Sequence, residues 1–193
     1  IKNANLSKPE QRRQIDLVQS MNRSMLERVG TNSEIEGVIQ SYELAYRMQS
    51  AVPTVMDLNK ENQKIRSMYG LDNKATSNFG TQCLMARRLA ESGVRFIQVT
   101  HNGWDQHKGL STKLKNNAIA TDRPIAALIT DLKERDMLKD TLLVWGGEFG
   151  RTPEGQNNDG RRHNNRGYSM WMAGGGVKGG IRYGSTDPLG DTA

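Results

Sequence analysis

Thr141-Leu142-Leu143-Val144-Trp145-Gly146-Gly147-Glu148-Phe149-Gly150-Arg151 reads as a buried strand running into a glycine-rich turn. Leu142 to Trp145 is an unbroken apolar run, the pattern of a strand covered on both faces, as in a parallel sheet. Gly146 and Gly147 free the backbone for a close approach to a ligand. Glu148 and Arg151 then stand at the carboxyl end of the strand, where ligands bind in open α/β sheets.

The flanking segments extend the pattern. Arg95 to Thr100, rich in Phe, Ile and Val, predicts a second strand ending at His101. A helix over about Ser111 to Met137 follows, with Ile125, Leu128, Ile129 and Leu132 as its apolar stripe and Pro124 as a kink or a restart. Tyr168 to Ala173 is a further strand-like run. It leads into Gly174-Gly175-Gly176-Val177-Lys178-Gly179-Gly180, which lacks the spacing of a phosphate loop and reads as a tight turn between strands. Alternation of strand and helix predicts an α/β layered sheet.

The first half predicts helices. Ser7-Lys8-Pro9-Glu10 is a capping box opening a helix to about Arg28, closed by Gly30. Ser33-Glu34-Ile35-Glu36 reads as a second capping box. It opens a helix with Ile35, Val38, Ile39, Tyr42 and Tyr46 on one face, which Pro53 stops or kinks. A weaker helix covers Leu58 to Met68. Asn78 caps another, with Phe79, Cys83, Ala86 and Ala90 on its apolar face and Gly93 at its end. Residues 1–193 are expected to form one incomplete domain, mainly helical over 1–75 and α/β over 76–193.

The 193 residues suffice for a single core. A hydrophobic content of 35% and a mean hydropathy of −0.70 are polar for a compact domain, and the chain starts at Ile1. Together these predict an internal fragment of a longer protein. A net charge of +6 permits anionic partners, but the basic residues are scattered, in pairs such as Arg12-Arg13, Arg87-Arg88 and Arg161-Arg162. No Lys/Arg run or aromatic-interleaved motif supports nucleic-acid binding, and no run is apolar enough for a transmembrane segment. The single cysteine, Cys83, excludes an internal disulfide framework. On a predicted apolar helix face, it reads as a core thiol.

Imidazole is the commonest metal ligand, and this chain has three. His101 and His107 flank a turn-rich loop that also holds Asp105. His163 lies in Arg161-Arg162-His163-Asn164-Asn165. Asp105-Gln106-His107 is either a ligand pair or simply a turn. Glu148 and Arg151 form either part of a site or an exposed surface pair. His163 belongs either to a site or to a solvated basic loop.

Several segments, read in order, resemble the bacterial family known as domain of unknown function 1501. They are Gln82 to Leu89, Gly93 to Val99, Trp104-Asp105-Gln106-His107, Asp131 to Arg135, Thr141 to Pro153, Trp171 to Gly180, and Tyr183 to Asp187. Members of that family look like sulfatases of the alkaline phosphatase superfamily. The resemblance implies a largely parallel sheet flanked by helices, and a divalent metal ion at the strand ends. It also implies cleavage of an anionic ester substrate, a sulfate or phosphate ester. Carried over by residue, it makes Asp105, His107, Glu148 and His163 the metal positions, and His101 and Arg151 the substrate-binding or supporting groups. Zinc or manganese would suit such mixed ligands, and calcium would if the histidines stay outside the ion's own ligand set.

The chain departs from the family pattern before His163, where an acidic residue usually stands and this chain has Arg162. The resemblance also places the nucleophile on an earlier strand upstream, so this chain alone is expected to be inactive. It implies export to the periplasm or beyond. Two functions are therefore expected as alternatives: a metal-dependent sulfatase-like hydrolase, or a non-catalytic exported binding or surface protein on the same scaffold.

Overall fold

The computed structural model describes residues 5–30 and 32–193, the side chains of 48–51 excepted. The chain divides into two compact units, Ile1–Asp57 and Leu58–Ala193.

The first unit is a helical pair, α1 (Lys8–Val29) and α2 (Ser33–Met56). The Ser7 capping box forms in both directions: the Ser7 amide donates to Glu10 Oε2 at 2.8 Å and the Glu10 amide to Ser7 Oγ at 3.4 Å. The start of α2 differs from the expected Ser33 box. Asn32 is the cap, and its Oδ1 accepts from the Glu34 and Ile35 amides at 2.9 and 3.2 Å, which leaves Ser33 as the first helical residue. Helix α2 continues through Pro53 to Met56. The two helices are tied by Arg12, which donates to both Glu43 oxygens at 3.0 Å, and by Gln19 Nε2, which donates to Ile39 O at 2.8 Å.

The second unit opens with a single 3-10 turn (Leu58–Lys60) and α3 (Gln63–Met68). Its core lies between α4 (Ser77–Glu91) and α5 (Leu110–Glu134). Tyr69, Phe79, Cys83, Leu84 and Ala127 are buried together, with Val99, Ile125 and Leu128 packed against them. Phe79 and Cys83 of α4 and Ala127 of α5 bring helical stripes into contact, as the 3.6-residue period requires. At Gly80 a Cβ would stand 2.1 Å from Tyr69 O, so the turn after α3 seats directly on the α4 backbone. Helix α4 has Thr76 rather than Asn78 at its cap; Asn78 instead accepts from Gln82 Nε2 at 2.9 Å. Helix α5 runs unbroken through Pro124.

An ion network lies on the same helix faces. Arg87 is only 1% exposed and lies 2.9 Å from Asp131 (Nε to Oδ2), with its other nitrogens 2.6 Å from Glu61 and Glu91. Asp131 also accepts from Tyr69 Oη at 3.0 Å and from Arg135 Nε at 2.7 Å. Burial, and then the negative charge of Asp131, raise the Tyr69 phenol far above its usual range.

The strands are short and antiparallel. β1 (Leu143–Trp145) pairs with β4 (Trp171–Ala173), in register Val144 to Met172. β2 (Gly150–Gly155) pairs with β3 (Arg161–Asn164), Arg151 opposite His163. Among the described residues the expected largely parallel sheet is not present; the fold is mixed α/β with helices and two small antiparallel sheets. Arg95 to Thr100 forms no strand, and Phe96 is 94% exposed. β-Propensity reports how side chains suit a pleated surface. A strand also requires a neighbour to receive its backbone hydrogen bonds, and this segment has none among the described residues. The Leu142 run does form a strand, but Leu142 and Val144 are exposed rather than buried. The glycine run after β4 turns back on the 138–142 segment, with the Gly175 amide donating to Leu138 O at 2.9 Å, and no strand follows it.

Candidate metal centre

Two loops make the site, and backbone hydrogen bonds join them. The loop before α5 carries Asp105 and His107; the β2–β3 hairpin carries Arg151 and His163. The Arg161 amide donates to Gln106 O at 3.0 Å, and the Leu110 amide to Asp159 O at 3.0 Å. Helix α5 has Gly109 at its cap position and no cap of its own. Asp159 serves instead, with Oδ1 accepting from the Ser111 amide at 3.2 Å and from Ser111 Oγ at 2.9 Å. Gly160 is the tightest point: a Cβ there would meet His107 O at 2.1 Å and Gln156 O at 2.9 Å. A line of ring contacts steadies the other end of the loop, from Phe79 of α4 through His101 and Trp104 to Trp145 and Trp171.

Three donor atoms converge. Asp105 Oδ1 lies 2.9 Å from His163 Nε2 and 3.0 Å from His107 Nε2, and the two Nε2 atoms lie 3.1 Å apart. Metal bonds of about 2.1 Å set neighbouring ligand atoms roughly 3.0 Å apart at right angles and about 3.4 Å apart in a tetrahedron. The three atoms therefore have the spacing of one face of a coordination shell. His107 Nδ1 lies 2.8 Å from Gln156 Oε1, an acceptor, which places the proton on Nδ1 and turns Nε2 to the cluster, the orientation in which an imidazole can bind metal. Phe149 lies against the His163 ring, centroids 4.2 Å apart.

Arg151 Nη1 donates to Asp105 Oδ1 at 2.6 Å, and its Nη2 lies 3.5 Å from Glu148 Oε1. The Arg151 guanidinium above all, and then the His163 hydrogen bond, lower the Asp105 carboxyl to about 2. Asp105 is thus ionised throughout the physiological range.

Of the residues singled out in the sequence, the structure brings Asp105, His107 and His163 together and sets Arg151 against them. Glu148 Oε1 lies 3.5 Å from Arg151 Nη2 and is not among the three converging atoms. His101 is held elsewhere: its Nε2 is 3.4 Å from Asn117 Oδ1, and its ring packs edge-on between Phe79 and Trp104. Arg162 precedes His163 in β3, so strand alternation points it to the opposite face from His163. Gln156, Phe149 and Gly160 were not singled out by sequence reading; a polar loop gives no sign of which member meets the imidazole. Cys83 is 2% exposed, and its thiol is pushed up to about 12 by burial.

No helix among the described residues is long and apolar enough to cross a membrane. No curated protein and no solved structure matches the chain. The model of one family, described as Protein of unknown function (DUF1501), matches residues 1–193, and the chain belongs to that family.

Proposed function

We propose that Asp105, His107 and His163 hold a divalent transition-type cation, zinc or manganese, in a sulfatase-like hydrolase of sulfate or phosphate esters. The observation that carries this reading is the convergence of one carboxylate oxygen and two imidazole nitrogens at 2.9–3.1 Å. Two imidazoles among three donors favour zinc or manganese over calcium, which takes oxygen ligands. Three protein donors suit a site that keeps a position open for substrate. A bound cation there supplies a Lewis acid that polarises the ester oxygen.

The chain's own residues do the rest. Asp105 offers a permanent negative charge to the cation. Gln156 fixes the His107 tautomer, and Phe149 fixes the His163 ring. Arg151 offers a planar donor fork that suits a tetrahedral oxyanion. Membership in the alkaline phosphatase superfamily and export from the cytoplasm belong to the same reading; both rest on the sequence resemblance.

A second reading, a non-catalytic exported binding or surface protein, is favoured by one observation. Arg162 stands directly before His163, where the family pattern has an acidic residue that could serve as a ligand. The test is a zinc and manganese titration of the wild-type chain and of Asp105→Ala, His107→Ala and His163→Ala, with aryl sulfate and aryl phosphate turnover assayed on the full-length protein. Stoichiometric binding lost in all three variants, with turnover, supports the hydrolase. Binding without turnover selects the second reading. Unchanged binding in the variants defeats the metal-dependent hydrolase.

A further inference from the structure

The three-atom cluster has a fourth claimant. Arg151 Nη1 lies 2.6 Å from the same Asp105 Oδ1 that His107 and His163 approach. A carboxylate oxygen has two lone-pair sites. A cation on the imidazole side and a guanidinium on the other would share one small atom while repelling each other.

In the same placement the guanidinium already has two further partners that do not depend on Asp105. Arg151 Nη2 is 3.5 Å from Glu148 Oε1, and Cζ lies 5.3 Å from the centre of the Phe149 ring. Glu148 is 61% exposed, and Phe149 offers the guanidinium a cation–π contact. Released from Asp105, the side chain stays at the rim of the site with its donors outward.

We propose that Arg151 and a divalent cation alternate at Asp105 Oδ1, so that loading of the cation frees the guanidinium to bind a tetrahedral oxyanion. This rests on the metal-site reading above. In the cation-free chain Arg151 neutralises Asp105 and its fork is engaged. In the loaded chain Asp105 is neutralised by the cation, and Glu148 and Phe149 position the fork for the anion. The two ligands are therefore linked reciprocally: each raises the affinity of the other by the same factor. Glu148 is a positioning residue here, not a metal ligand.

The test is calorimetric titration of the wild-type chain with manganese, with and without inorganic sulfate and, in parallel, inorganic phosphate. The same is done for Arg151→Met, which keeps the apolar stem on Phe149, and for Glu148→Gln. Loss of a charge-assisted contact to Asp105 is expected to make Arg151→Met bind manganese roughly three- to tenfold more tightly than wild type. Sulfate or phosphate should tighten manganese binding in the wild type and not in Arg151→Met; whichever anion does so more strongly identifies the ester class. Glu148→Gln should keep its manganese affinity within about twofold and weaken the anion effect. As a measurement independent of any variant, the wild-type Arg151 side-chain NMR signals should shift on adding manganese's diamagnetic stand-in, zinc, and again on adding sulfate.

Wild-type chain that binds no manganese overturns the metal reading itself. Wild-type chain that binds manganese, beside an Arg151→Met that binds no tighter, overturns the alternation alone. So do Arg151 signals indifferent to zinc, and so does a Glu148→Gln variant that loses the metal.

Discussion

Gly160→Ala tests the architecture of the site at its narrowest point. The added Cβ would lie 2.1 Å from His107 O and 2.3 Å from His107 C, both backbone atoms that cannot swing aside. Restoring ordinary contact, at about 3.4 Å, demands a displacement of roughly 1.3 Å between the hairpin loop and the His107 loop. Metal sites tolerate errors of about 0.2 Å in ligand distance. His107 would therefore leave the cluster, and Gln156, whose carbonyl oxygen also faces the new methyl at 2.9 Å, would move with it. The expected outcome is a loss of zinc affinity of at least about 10- to 100-fold, the range seen when orienting groups around a ligand are removed. Overpacking should also lower stability by about 1–3 kcal/mol. The assay is zinc titration plus urea unfolding, with Gly179→Ala as control because no atom lies within 4 Å of a Cβ there. A Gly160→Ala chain as stable as the control and with wild-type zinc affinity would refute the placement of the His107 loop against the hairpin.

Other outcomes follow from the same contacts. Gln156→Ala frees the His107 ring to take either tautomer, and zinc affinity in a titration should fall about 10- to 100-fold while stability stays within about 0.5 kcal/mol. Arg87→Met removes the cation at the centre of the buried network; Asp131, 2% exposed, keeps its Arg135 and Tyr69 bonds, so urea unfolding should show a clear loss that stays below the roughly 3–5 kcal/mol of a wholly uncompensated buried charge. The Asp105 carboxyl carbon, followed by NMR, should titrate near 2 in the metal-free wild type and move up towards the ordinary carboxylate value in Arg151→Met, since Arg151 is the main cause of the shift. A carboxyl depressed in the folded state favours folding above its unfolded pKa, and that contribution is lost as pH falls through about 2. Acid instability setting in above about pH 4 must then arise from other groups.

The helices were legible because their signals are local. The Ser7 box, the apolar face through Phe79 and Cys83, and the stripe on α5 depend on residues three or four apart. The sheet was not. An apolar tetrad such as Leu142 to Trp145 states a preference for burial, whereas pairing with Trp171–Ala173 is decided by a segment far along the chain. Arg95 to Thr100 shows the converse, strand-forming residues with no paired neighbour among the described residues. In the site, Asp105, His107 and His163 stood out by residue type, but their supports did not: nothing distinguishes Gln156 from the other polar residues of its loop. The buried network did leave a trace. Arg87 follows Cys83 by one helical turn, and Asp131 follows Ala127 in the same way, so each charge sits on an apolar stripe.

The meeting of His107 with His163 joins positions 56 residues apart. A cation gripping both would act as a removable cross-link, closing a loop that contains all of α5 and the first strand. In the unfolded chain the same loop is open, so cation binding to the folded form alone adds stability that grows with the logarithm of cation concentration. Chelation should then shorten the lifetime of this unit against proteases, with first cuts in the polar 155–160 loop, and added zinc should restore it.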